Sequence, residues 1–93
     1  MVTLEELKAH LRIEQDDEDG LLATLLRMAE SAALDFCKGV EFDPAPEPVR
    51  LAILLMAGHF FTHRENGDGE AYDAMISAFH ALLWPYREPE LMF

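Results

Sequence analysis

Between Pro48 and Glu65 the chain reads PVRLAILLMAGHFFTHRE, and from Leu51 to Phe61 every residue except His59 is apolar or small. A helix that is apolar nearly all the way round has to be enclosed by other helices. About 18 helical residues span roughly 27 Å, the diameter of a small domain. The run therefore predicts the central helix of an all-α bundle. It does not predict a membrane span, because its strictly apolar part is short and His63, Arg64 and Glu65 follow at once.

The flanking sequence supplies partners for that helix. Thr3 and Glu6 form a T-x-x-E capping box, with Val2 and Leu7 placed as a hydrophobic staple. Leu4, Leu7 and Leu11 then share one narrow face of a short first helix, too short to stand alone. Glu14 to Asp19 (EQDDED) predicts an acidic turn that also supplies an N-cap. The second helix is predicted from about Asp17 to Lys38. Its apolar positions, from Leu21 and Leu22 to Phe36, fall within an arc of roughly 160°. Gly39 is placed as its left-handed cap.

Val40 to Glu47 (VEFDPAPE) holds two prolines and predicts an extended connection anchored by Phe42. Pro48 suits the first turn of the third helix, where its missing N–H costs nothing. Asn66-Gly67-Asp68-Gly69 breaks the chain, and a fourth helix is predicted from about Glu70 to Leu83. Trp84-Pro85 ends it. The reading is a small all-α four-helix bundle with a central apolar helix and an extended C-terminal tail. Residues 1–87 form the helical domain and residues 88–93 the tail. No strand is predicted.

Ninety-three residues make one domain, and a hydrophobic fraction of 51% suffices for a core. The 7 basic against 18 acidic side chains, a formal charge of −11, argue against gripping nucleic acid or an anionic membrane surface. The charge suits a basic protein partner, or a DNA path from which phosphates are to be repelled. Cys37 is the single cysteine, which excludes an internal disulfide and a cysteine-based zinc site. No secretory signal opens the sequence, so a reduced, cytoplasmic site of synthesis is expected.

Catalytic chemistry finds no foothold. His59 and His63 stand at i, i+4, yet no H-E-x-x-H glutamate accompanies them, and the reading is one packed and one surface histidine. The EQDDED acids miss the spacing of a calcium loop and read as a solvated turn. No nucleophile–base set or phosphate-binding glycine loop can be placed, so no enzyme activity, metal or cofactor is expected. Gly58 inside the third helix is expected to permit a close helix contact. Trp84, Tyr86 and Arg87 are residue types enriched where proteins bind one another.

Four stretches, LEELKAHLRI, DDEDGLLATLL, PVRLAILLMAGHFFTHRE and LLWPYR, in this order, resemble the head–tail connector (adaptor) family of phages and phage-like gene transfer agents. Two places depart from the family's pattern. Cys37-Lys38-Gly39 stands where a Thr-Gly-Arg often opens a longer segment, and only Asn66 to Gly69 follows Arg64-Glu65. The resemblance implies a structural protein of the virion or phage-like particle. It implies a homo-oligomeric ring of about twelve subunits beneath the portal protein, docking a tail or stopper protein. DNA would pass through without specific binding. On that reading Trp84, Tyr86, Arg87, Leu91, Met92 and Phe93 contact the portal or a neighbouring subunit. Asp16, Asp17, Glu18 and Asp19 contribute to an acidic channel surface acting within about 8 Å at physiological salt. The alternative is a small acidic regulator, antitoxin-like or anti-repressor-like, that binds a basic protein.

Overall fold

Thr3 starts the first helix as its sequence requires. In the computed structural model, which describes residues 1–38, 42, 44–63 and 69–87, its hydroxyl accepts from the Glu6 N–H at 3.1 Å. Glu6 Oε1 accepts from the Thr3 N–H at 2.8 Å, which closes the capping box. Helix α1 runs Leu4–Leu11 and ends on Arg12, held left-handed at φ 61°. The Arg12 and Ile13 N–H groups bond back to Ala9 (3.2 Å) and Lys8 (2.8 Å), satisfying carbonyls the helix end would leave open.

Three longer helices follow, α2 (Asp19–Phe36), α3 (Glu47–Thr62) and α4 (Gly69–Leu83), and then a 3₁₀ turn at Trp84–Tyr86. Among the described residues the fold is all-α, with four α-helices and no strand. Pro48 sits in the first turn of α3, as its missing N–H allows. Helix α3 packs against each of the other three, and α2 also touches α1 and α4. The core lies along these contacts. Leu7 from α1, Leu22 and Ala33 from α2, Val49 and Ile53 from α3, and Phe79 and Leu83 from α4 are wholly or almost wholly enclosed.

The boundaries of α2 differ from the sequence expectation. The helix opens at Asp19 rather than Asp17, and its cap residue Glu18 makes no side-chain capping bond. The acidic turn is instead fastened from outside, by Lys8 of α1. The left-handed residue after α2 is Lys38, at φ 62°, one position before the expected Gly39; Gly39 lies outside the described residues. Helix α3 stops at Thr62, and the expected continuation through Arg64 and Glu65 lies outside the described residues. Nor is α3 covered on every side, since Leu51 is 42% exposed. Three neighbouring helices cannot surround a fourth, so one strip of α3 is left facing outward.

Gly58 makes the close contact expected of it. A Cβ there would stand 3.1 Å from Leu11 Cδ2, so the end of α1 rests directly on the α3 backbone. Cys37 is fully buried in the core. Burial pushes its thiol pKa up, while the nearby Arg87 guanidinium pulls weakly the other way. Native protein is therefore expected to leave Cys37 unmodified by a disulfide thiol reagent at pH 8, with one thiol per chain appearing on denaturation. Rapid labelling of the native protein would show that the α2 C-terminus opens.

Candidate functional site

At the C-terminal end of α2 the chain gathers a cluster that mixes aromatic rings with one cation. Phe36 and His80 stack with ring centroids 4.5 Å apart and an interplanar angle of 14°. Trp84 leans on Phe36 at 6.3 Å. The Arg87 guanidinium carbon lies 4.9 Å from the Phe36 ring centre and 5.4 Å from that of Trp84. A cation between two ring faces is held by their quadrupoles. The 3₁₀ turn makes this possible: the Arg87 N–H donates to the Trp84 carbonyl at 3.2 Å and brings the side chain back over its own turn. Arg87 Nε is buried without a hydrogen-bond partner among the described residues.

The three expected contact residues in this region have different surroundings. Trp84 is 64% exposed, the most exposed large apolar side chain among the described residues. Tyr86 turns inward and meets Phe42 edge-on at 6.1 Å, so Phe42 anchors the connecting segment as expected. Arg87 is half-buried between the rings. Leu91, Met92 and Phe93 lie outside the described residues. Phe36 and His80 complete the cluster and were not singled out from sequence. The i, i+4 spacing of His80 and Trp84 was the available signal, since it puts both on one face of the chain end.

The acidic turn stands at the other end of α2, about 25 Å away along the helix. Lys8 Nζ donates to Asp16 Oδ1 at 2.7 Å and to Asp19 Oδ1 at 2.8 Å. These bonds hold the Lys8 pKa above and the Asp16 pKa below their ordinary values. One ammonium thus offsets one of the four carboxylate charges locally. Asp17 is exposed and Glu18 half-buried.

His59 and His63 stack at 4.5 Å, and His63 Nδ1 lies 3.1 Å from the His59 carbonyl oxygen. Both are half-buried rather than one packed and one at the surface. Among the described residues no group of three or more His, Cys, Asp or Glu side chains is placed to hold a metal ion. No helix in that part of the chain is long and apolar enough to cross a membrane.

The chain is a member of the phage gp6-like head-tail connector protein family, whose model it matches over residues 1–87. No curated protein and no solved structure matches it. Its role is accordingly structural, in connecting phage head and tail, and not enzymatic.

Proposed function

We propose that the protein is an adaptor that assembles as a closed ring of about twelve copies beneath the portal vertex. In this reading the ring offers the tail or a stopper protein a docking surface and lets DNA pass. The observation that carries it is the family match over residues 1–87. Residues 1–87 form the docked domain and residues 88–93 a tail that follows directly on the Trp84–Arg87 cluster. An exposed Trp beside a ring-held Arg supports contact with the portal, because such residues dominate binding energy once a partner excludes water from them. Tyr86, packed on Phe42, holds the turn in place, and Leu91, Met92 and Phe93 add apolar contact.

Asp16, Asp17, Glu18 and Asp19 together would supply the channel surface, with Lys8 offsetting one of their charges. Each subunit would add its carboxylates to a ring from which DNA phosphates are repelled, and the duplex would slide without being bound.

Binding to purified portal protein tests the docking claim. Trp84→Ala is expected to weaken it by about 2 kcal/mol or more, roughly 30-fold in Kd. Thermal stability should barely change, because the side chain is 64% exposed. Removal of residues 88–93 is expected to weaken binding further. Wild-type affinity in both variants would remove this cluster and tail from the portal contact.

A further inference from the structure

We propose that subunits join head to tail, with one line of α2 side chains seated in the groove between α1, α3 and α4 of the next copy. This goes beyond the ring reading above and rests on it only for the closure of the assembly.

The ridge comes from the width of the apolar arc on α2. Leu22, Leu26, Ala29 and Ala33 face the core. Leu21, Leu25, Met28 and Ala32 form a second line at i, i+4, i+7 and i+11, about 100° further round the helix. Leu21 is 38% and Met28 39% exposed, whereas Leu25 and Ala32 rest on the edge of the core. Two large apolar side chains on one helix line therefore face water in the single chain.

The groove is the complementary shape. It has a volume of about 520 Å³, and Leu55, Gly58, Ala71, Ala74 and Ala78 contribute mostly small side chains to its walls. Its lining residues on α3 and α4 each extend about 10 Å along the helix, against about 16 Å for the ridge. Small residues let a neighbouring helix approach closely, as Gly58 already does for α1.

Charge selects the occupant. Asp17 and Glu18 precede the ridge, and Asp35 stands seven residues beyond Met28 on the same side. Two ridges packed antiparallel would set the carboxylates of one against those of the other, which is unfavourable. None of the described residues that line the groove carries a carboxylate, and His10, His59 and His63 are among them. Ridge into groove is thus favoured over ridge onto ridge. A contact between two different surfaces of one chain is heterologous, and it gives a ring where its repeated rotation closes on itself.

Two full-length variants test this. Leu21→Glu/Met28→Glu disables the ridge, and Ala74→Glu disables the groove; all three positions are exposed, so wild-type melting curves should confirm folding. In native mass spectrometry over a concentration series, wild type is expected to form higher oligomers and each variant to remain monomeric. An equimolar mixture is expected to form a dimer and nothing larger, because only one competent junction can form. Wild-type oligomers in either variant, or a mixture that stays monomeric, would overturn the inference. So would wild type that is monomeric at its highest soluble concentration; the portal-docking reading would then still be decided by adding purified portal. Conversely, ridge–groove assembly with no portal binding would sink that reading and leave the inference standing.

Discussion

Replacing Phe79 by alanine is expected to destabilise the domain more than any other single truncation. Phe79 is the largest of the fully enclosed side chains, 2% exposed at the seam where α4 meets the core. Removing a buried ring loses its transfer free energy and leaves a cavity, together about 3–5 kcal/mol. A domain of this size has a total stability of roughly 5–14 kcal/mol, so a large share of it disappears. The melting temperature should fall by about 12–40 °C, since each kcal/mol is worth about 4–8 °C at this length. Circular dichroism melts, run at matched concentration because any self-association would add apparent stability, give the answer. A fall of only a few degrees would mean that α4 repacks around the gap, and that the α3–α4 seam is not the rigid centre of the fold.

The periodicity that placed Phe79 inside is also what made the fold readable. Leu22, Leu26, Ala29 and Ala33 recur at helical spacing, as do Met75, Phe79 and Leu83, and local caps such as the Thr3–Glu6 box need no distant partner. What periodicity does not carry is the identity of the surface an apolar residue meets. Leu22 and Leu21 are the same residue type on adjacent lines of α2, yet one is buried and the other 38% exposed. A wide apolar arc reads as a broad core face whether the cover comes from the same chain or another one. The partners that the candidate-site residues meet escaped for a related reason. Lys8 reaches across to Asp16 and Asp19, and Phe36 meets His80 and Arg87 from 44 and 51 positions away. Such meetings depend on how the helices cross, and no local spacing encodes that. Gly58 was legible because a glycine inside an otherwise apolar helix costs about 1 kcal/mol, so its presence implies a contact that needs the space.

Leu7→Ala is expected to act differently from Phe79→Ala, although it also removes a fully enclosed side chain. Helix α1 has eight residues, too few to persist undocked, and Leu7 is its single buried residue. Leu4 and Leu11 add partly buried contact at its edges, and its remaining ties are polar. Lys8 holds Asp16 and Asp19, Arg50 pairs with Glu6 and donates to the Met1 carbonyl at 2.9 Å, and the Val2 N–H donates to Glu30 at 3.2 Å. Exposed ion pairs contribute about 0–1 kcal/mol each, so they orient α1 more than they anchor it. The intrinsic cost of the truncation, about 2–5 kcal/mol, can exceed what docking α1 is worth. The cheaper response is for α1 to detach while α2, α3 and α4 stay packed. Hydrogen exchange should then show the α1 amides losing protection, with those of α3 near Ile53 and α4 near Phe79 retained. Uniform loss of protection across all four helices would show instead that α1 is integral to one cooperative unit. Selective detachment has a further consequence. His10 and Leu11 form one wall of the groove between α1, α3 and α4, so Leu7→Ala should abolish head-to-tail assembly without altering a residue of either contact surface. A variant that loses α1 protection and still assembles would place the subunit junction elsewhere.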